Sequence, residues 1–253
     1  MEDSSRQALR ARLGRASSRE LLQLVVDHRE TLGAGEVRRA LRNPFVTAEV
    51  IDALAENRRL AGSYEVRSAV ARHRRTPETT ALRFISGLFW RDLLDISVDM
   101  RISPAVRRVA EKYLVERLKR VTVGEKIAIA RRAAGGTLKH LMKDPNLTVV
   151  KALLSNPRLT EPGLLPLVSN EEALPRVLDL VASDPRWAMR YEIRLALCRN
   201  PRSPYRVIFE LLPSLLRRDL LEIAGQEDHT WVVRHRAREL LSDSEGGARA
   251  SDI

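Results

Sequence analysis

The sequence has a single cysteine, Cys198, so it can form no internal disulfide and no metal site built from several cysteines. Chains without disulfides are typical of a reducing compartment. Aromatic residues make up only 4% of the chain and β-branched clusters are scarce, which disfavours a β-sheet protein. Ala, Leu, Arg and Glu, which favour helices, dominate instead. An all-α fold is therefore the first expectation.

Long apolar runs are missing as well. The opening stretch, MEDSSRQALRARLGRASS, has no apolar core of the kind that a secretory signal needs. No uninterrupted apolar run approaches the length of about 18 residues that a membrane-spanning helix requires. We therefore expect a soluble, cytoplasmic protein that has no membrane partner.

Motifs of catalysis and cofactor binding are missing too. The LGAGE stretch at 32–36 lacks the other glycines of a dinucleotide fingerprint and the lysine of a phosphate loop. No serine lies in a nucleophile elbow, and Cys198 has no nearby histidine. No histidine pair has metal-ligand spacing; the histidines are His28, His73, His140, His229 and His235. We expect no enzyme activity, no cofactor, no metal and no small-molecule substrate.

Positive charge is concentrated in one part of the chain. The formal net charge is +11, and residues 101–151 alone hold 13 Lys and Arg against 4 Asp and Glu. This segment is either a solvated surface without a ligand or a positive surface for phosphates or an acidic protein. Tyr113 is its only aromatic residue, so a nucleic acid would be held by its backbone without strong sequence reading. The candidate anion-binding or partner-binding residues are Arg107, Arg108, Arg131, Arg132, Lys139 and Lys143.

Negative charge clusters once, in WRDLLDISVD, where Asp92, Asp95 and Asp99 fall on one helix face. Three carboxylates could bind a hard cation. Because apolar residues alternate with them, an acidic outer surface or a set of salt-bridge partners for a neighbouring helix is the simpler interpretation.

Two phrases of the chain repeat each other, YEVRSAVARHRRTP at 64–77 and YEIRLALCRNPRSP at 191–204. A β-branched residue followed by a basic one recurs in such helical patterns, with steps of 29, 40, 44, 43 and 40 residues. A period of about 40–47 residues is typical of helical solenoid repeats. The distance of 127 residues between the two phrases then equals three repeats. The basic members of the pairs are Arg38, Arg67, Arg107, Lys151, Arg194 and Arg234.

Short proline phrases such as RNPFVT, SNPRLT and RNPRSP separate the helical segments. Asn or Asp before proline disfavours continuing a helix, and Thr or Ser suits the start of the next one. The SSRE pattern at 17–20 predicts a capping box that opens the first helix.

The repeat of a Val-Arg pair, clearest in DHTWVVRHRARELL, resembles HEAT-type repeats and their armadillo relatives. The RNPRSP type of linker resembles the bacterial variant leucine-rich repeats. The resemblance covers residues 19–241 and implies an α-α superhelix of five to six two-helix repeats. It also implies a structural role for the basic column named above. The cysteine cluster that holds an iron–sulfur group in the variant leucine-rich family is missing, so that cofactor is not expected.

The predicted organisation is a flexible tail at 1–16, one solenoid domain at 17–241 and a flexible tail at 242–253. The leading functional hypothesis is a non-enzymatic scaffold that binds a protein on its concave surface. The alternative is a solenoid that binds nucleic acid through residues 101–151. A third hypothesis, a HEAT-like DNA alkylation repair glycosylase, depends on tryptophans near acidic and basic residues, namely Trp90, Trp187 and Trp231.

Overall fold

The structure, a computed structural model, describes the backbone of residues 2–250 and the side chains of residues 5–243. Within this range the chain forms nineteen α-helices and one short 3-10 helix, and no strand. The main packing contacts of each helix are with helices one to three places away in chain order. The expectation of an all-α chain is therefore confirmed, and its helices pack against their neighbours.

The helices fall into two compact units, residues 1–121 and residues 122–253. The helices of unit 1 are α1 Glu2–Arg15, α2 Ser18–Asp27, α3 Ala34–Leu41, α4 Ala48–Glu56, α5 Arg58–Gly62, α6 Tyr64–Ala71, α7 Glu78–Ile85, α8 Trp90–Val98 and α9 Pro104–Arg117. Those of unit 2 are α10 Val123–Ala130, α11 Gly135–Leu141, α12 Leu147–Leu154, α13 Glu161–Val168, α14 Pro175–Ala182, α15 Pro185–Ala188, α16 Tyr191–Arg199, α17 Tyr205–Leu211, α18 Arg217–Gly225 and α19 Trp231–Ala250, with the 3-10 helix at Leu212–Ser214. The predicted domain at 17–241 spans both units.

The predicted capping box is present but opens the second helix. The Ser17 N–H donates to the Glu20 carboxylate at 2.9 Å, so that both residues satisfy free groups at the start of α2. Residues 1–16, for which a tail was predicted, instead contain α1. Leu13 of α1 is fully buried, and α1 packs against α3. The structure differs from the prediction here because Leu9, Leu13 and Ala16 make too short an apolar pattern in a polar stretch to signal packing.

The predicted boundary at residue 242 falls inside α19, which continues to Ala250. Residues 251–253 of the predicted C-terminal tail lie outside the described residues.

The two units share one order of helices. The first residues of α3 to α9 lie 127 positions before the first residues of α13 to α19, helix by helix. The repeated phrases at 64–77 and 191–204 are therefore part of a longer correspondence, in which α6 matches α16.

The correspondence extends to a hydrogen-bond network that joins helices. The Tyr64 hydroxyl donates to the Asp92 carboxylate and accepts the Phe89 N–H at 3.0 Å. Burial and the bond to Asp92 raise the pKa of Tyr64 to about 12. The same bonds recur 127 positions later: the Tyr191 hydroxyl donates to Asp219 and accepts the N–H of residue 216 at 3.0 Å. Each repeated tyrosine thus fixes the start of a helix 26 residues further on.

Three asparagines of the Asn-Pro phrases are buried and connect the ends of successive helices. Asn156, which is 0% exposed, donates to the carbonyls of Ala130 at 2.6 Å and Ala133 at 2.9 Å, while its Oδ1 accepts the Arg158 N–H at 2.7 Å. The other two make the same pattern of three bonds; they are Asn43 and Asn200. The sequence predicts each of these phrases to be a helix stop followed by a helix start, and the repeated Asn-Pro pair was the signal for this further role of the asparagine.

Many arginines bind backbone carbonyls near the ends of preceding helices. Arg75 donates to the Pro44 carbonyl at 2.8 Å, and at the matching positions Arg202 donates to the Glu171 carbonyl at 3.2 Å. Cations near helix C-termini are stabilising, because the last carbonyls of a helix lack partners within it. Part of the arginine content is therefore structural. A second matching pair consists of Arg59 to the Leu32 carbonyl and Arg186 to the Leu159 carbonyl.

Candidate binding surfaces

A cleft of about 510 Å³ opens in unit 2 between α13, α16 and the segment that follows α18. Its apolar wall is formed by Leu165, Leu195 and Ala196. Its volume lies within the range of about 300–1,000 Å³ that ligand pockets occupy. We refer to this site as the unit 2 cleft.

Three carboxylates line the unit 2 cleft, those of Glu171, Glu192 and Asp228. All three residues are exposed, and none forms an ion pair with a residue that the structure describes. Because they come from three different segments, their negative charges converge on the opening and can attract a cation.

Two further lining residues have polar atoms without a partner. Arg199 is held by Asp219 at 3.6 Å and by Glu222, yet its Nε is buried without a hydrogen bond. The Oε1 atom of Gln226 is also buried without a partner among the described residues. Buried polar atoms normally find a partner, so these two are candidates for contact with a ligand.

The positions of unit 1 that match the lining of the cleft carry five arginines. Where the cleft has Leu165, Ser169, Arg199, Pro201 and Asp228, unit 1 has Arg38, Arg42, Arg72, Arg74 and Arg101. We call these five residues the arginine face. The exposed fraction of the side chain is 56% for Arg38, 45% for Arg72 and 73% for Arg101, so their guanidinium groups reach solvent.

The contacts of the arginine face run from α3 to the end of α8. Arg38 pairs with Glu65 at 3.4 Å, and Arg101 pairs with Asp99 at 2.7 Å. Hydrogen bonds from Arg101, with a smaller contribution from the charge of Arg72, lower the pKa of Asp99 to about 2. Surface ion pairs of this kind contribute about 0–1 kcal/mol to stability. Arg42 and Arg74 form no ion pair with a residue that the structure describes, so their charges remain available to a partner.

The acidic triad of WRDLLDISVD pairs with arginines. Arg72 binds Asp92 at 3.0 Å and Asp95 at 2.9 Å, and Asp99 binds Arg101. These are the salt bridges to a neighbouring helix that the sequence predicts as the simpler interpretation. Within the described residues, no group of three or more His, Cys, Asp or Glu side chains could hold a metal ion.

His73 stands in unit 1 where Asn200 stands in unit 2. Its Nδ1 accepts the Arg75 N–H at 3.2 Å, as the amide oxygen of Asn200 accepts the Arg202 N–H at 2.8 Å. The imidazole also bonds to the backbone of Leu41, which matches the Val168 partner of Asn200. Burial, followed by the charges of Arg75 and Arg74, lowers the pKa of His73.

We expect the substitution His73→Asn to weaken the dependence of stability on pH in the acidic range. Because the folded protein holds His73 neutral, the unfolded chain binds its proton first, and stability falls as pH drops below the ordinary histidine pKa of about 6.5. Asparagine keeps both hydrogen bonds but does not titrate. Urea unfolding at about pH 7.5 and about pH 5.5 should show a smaller loss in the variant than in the wild type. His229, whose pKa burial also lowers, accounts for the dependence that remains. Equal losses in both proteins would contradict the assignment.

The predicted basic segment is divided by the boundary between the units. Arg107 and Arg108 lie on α9 of unit 1, where Arg107 donates to the Ile102 carbonyl at 3.1 Å and Arg108 is exposed. The remaining candidates belong to unit 2 and are exposed at or near the ends of α10 and α11; they are Arg131, Arg132, Lys139 and Lys143. Counting charge along the chain missed Arg38, Arg42 and Arg74, because the arginine face draws on helix ends that are distant in sequence.

The basic column of the repeat makes varied contacts. Arg67 donates to the carbonyls of Ala61 and Gly62 and lies 6.0 Å from the Tyr64 ring, and Arg194 lies 5.6 Å from the Tyr191 ring. Arg38 belongs to the arginine face, Arg107 binds Ile102, Lys151 is exposed and Arg234 is partly buried.

The three tryptophans have different environments. Trp187 is 2% exposed and its indole N–H donates to the Leu154 carbonyl at 3.1 Å, so it packs inside unit 2 and is not accessible to a base. Trp231 is 64% exposed and stacks on His235 with 4.8 Å between the ring centres. Trp90 is partly exposed, with the Arg91 guanidinium 5.2 Å from its ring centre.

Cys198 is fully buried in α16, and burial raises the pKa of its thiol to about 12. It is therefore an unreactive core residue at neutral pH. In the part of the chain that the structure describes, no helix combines the length and apolar character needed to cross a bilayer.

The chain matches no protein-family model, no curated protein and no solved structure. The class of the protein is therefore defined by its own fold: an all-α chain whose helices pack against their neighbours, compatible with a helical repeat protein.

Proposed function

We propose that the protein is a HEAT-like α-solenoid that acts as a non-enzymatic interaction scaffold, and that the arginine face of unit 1 binds an acidic partner protein. Packing between helices that are near in the chain supports the solenoid part of this proposal. So do the buried asparagines, which repeat one bonding pattern at three helix ends. Solenoids of this kind serve as extended binding surfaces for macromolecules.

The proposed binding role of the arginine face depends on a comparison of matching positions in the two units. At four of the five positions of the arginine face, unit 2 has a different residue, yet it keeps the tyrosine, asparagine and helix-end networks. The fold therefore does not require arginine at Arg38, Arg42, Arg74 or Arg101. Exposed charges that the fold does not need are best explained by binding.

An acidic protein fits this surface better than a nucleic acid. Glu65 and Asp99 lie among the arginines, and their carboxylates would repel a continuous phosphate backbone. A guanidinium group matches a carboxylate with two parallel hydrogen bonds, so separate acidic side chains of a partner can each pair with one arginine.

We expect a fluorescent peptide of alternating Glu and Gly to bind the protein at low salt and to lose at least about tenfold in affinity in the double variant Arg42→Glu/Arg74→Glu. Fluorescence anisotropy at two salt concentrations measures this effect. The matched control is Arg19→Glu/Arg58→Glu, which changes the net charge equally at exposed positions of α2 and α5. An equal loss in the control would mean that the peptide responds to overall charge and that the arginine face is not the site.

Nucleic-acid binding through unit 2 is the second candidate, favoured by the exposure of Arg131, Arg132, Lys139 and Lys143. The same assay with labelled single-stranded and duplex DNA and RNA tests it. Submicromolar binding that weakens steeply with salt and is lost when these four residues become alanine would favour this candidate. No binding at low salt would remove it.

A further inference from the structure

We propose that the acidic surface bound by the arginine face is the unit 2 cleft of a second copy of this chain, so that copies associate head to tail. This inference rests on the proposed function of the arginine face and names its partner. Three properties of the cleft support it: its charge, its shape and an unsatisfied polar atom.

The charges of the two surfaces are complementary. The cleft has three carboxylates without ion-pair partners among the described residues, Glu171, Glu192 and Asp228. Arg42 and Arg74 are exposed on the arginine face and form no ion pair there with a described residue. Pairing these groups between copies satisfies both sets at once, which neither surface achieves alone.

The two surfaces are also complementary in shape, because they carry side chains of different length at matching positions. Both surfaces are built on matching helices, but unit 2 has Leu165, Ser169 and Pro201 where unit 1 has Arg38, Arg42 and Arg74. The short side chains leave a cavity of about 510 Å³, whereas the arginines at the equivalent place are long and exposed to solvent. A guanidinium on an apolar stem fits a cavity that has apolar walls and an acidic rim.

The buried Oε1 atom of Gln226 is a hydrogen-bond acceptor with no partner in the described part of the chain. It lines the same cleft, where an incoming guanidinium N–H can bind it. An acceptor without a partner indicates that a ligand with a hydrogen-bond donor binds here. A guanidinium group, which carries several N–H donors, can form this bond.

Long-range repulsion opposes the association, because each copy carries a formal charge of +11. At an ionic strength of about 0.1 M, charges further apart than about 10 Å are largely screened, while close ion pairs are less affected. We therefore expect association in the micromolar range at this ionic strength. Each contact leaves one arginine face and one cleft free, so the average mass should rise with concentration until a ring closes.

Charge reversal with rescue tests the proposal in the full chain. The face variant is Arg42→Glu/Arg74→Glu, and the cleft variant is Glu171→Lys/Asp228→Lys. All four positions are exposed, so each variant should fold, and circular dichroism is the check. We expect sedimentation velocity at about 0.1 M salt to show association of the wild type and monomers of either variant alone. An equimolar mixture of the two variants should associate again, because the unchanged arginine face of the cleft variant meets the unchanged cleft of the face variant, and the two reversed surfaces also attract each other.

The control Arg19→Glu/Arg58→Glu should associate as the wild type does. The inference is overturned if the wild type stays monomeric at about 100 μM protein, or if mixing the two variants restores nothing. If the acidic peptide binds the arginine face but the protein does not self-associate, the proposed function is retained. Only the second copy is then rejected as the partner. Loss of both peptide binding and association would reject the function and the inference together.

Discussion

Replacing Trp187 with alanine is expected to lower the free energy of unfolding by about 3–5 kcal/mol, the usual cost of removing a large buried aromatic side chain. Trp187 is 2% exposed, so the substitution opens a cavity inside unit 2. It also removes the donor to the Leu154 carbonyl, at 3.1 Å, and the ring beneath the Arg186 guanidinium, 4.4 Å away. The Leu154 carbonyl then keeps only the long bond from Arg186 at 3.5 Å, so the lost hydrogen bond adds to the cost of the cavity.

Denaturation by urea, followed by circular dichroism, measures this loss. Trp231→Ala is the matched control, since Trp231 is 64% exposed and its removal should change stability by no more than about 0.5 kcal/mol. Similar effects of the two substitutions would contradict the packing role of Trp187. An unfolded Trp187→Ala protein would agree with it, and Trp187→Phe would then measure the smaller loss of the indole hydrogen bond.

Replacing Asn156 with alanine is expected to cost about 2–6 kcal/mol, because two buried carbonyls each lose a donor at about 1–3 kcal/mol. The amide of Asn156 bonds to Ala130 and Ala133 at the end of α10 and to the Arg158 N–H beyond α12. No water can replace these bonds easily, since the residue is 0% exposed.

Asn170→Ala is the matched control for this second substitution. Asn170 is exposed, and its side chain accepts only the Glu172 N–H at 3.0 Å. Its loss should cost less than about 1 kcal/mol. Equal shifts of the urea midpoint in Asn156→Ala and Asn170→Ala would show that the bonds of Asn156 to α10 contribute nothing beyond the local turn.

Local patterns predicted the secondary structure well. The excess of helix formers indicated an all-α chain, and the capping box at Ser17 was found at a helix start. The pairing of aspartates in WRDLLDISVD with arginine could also be predicted from the sequence. Carboxylates at helical spacing share one helix face, where they can pair with basic residues of an adjacent helix.

The candidate site was predicted only in part. A basic surface was expected in residues 101–151, and Arg101 is the one member of the arginine face inside that range. Charge density along the chain did not locate the arginine face. A surface made of helix ends contains only one or two residues from each of several helices, so its charge is spread along the sequence. The unit 2 cleft carries no signal of its own in the sequence and becomes visible only against the matching positions of unit 1.

By itself, the sequence determined that the chain is helical, where most of its helices begin, and that a phrase recurs after 127 residues. Those features depend on propensity, caps and spacing within about four residues, which neighbours in the chain decide. Only the tertiary structure decided that α1 packs on α3 and that buried asparagines join helix ends. The same is true of the arginines that unit 1 carries where unit 2 has Leu165, Ser169 and Pro201. These contacts join residues such as Asn156 and Ala130, which are 26 positions apart, and their partners are set by the packing of whole helices.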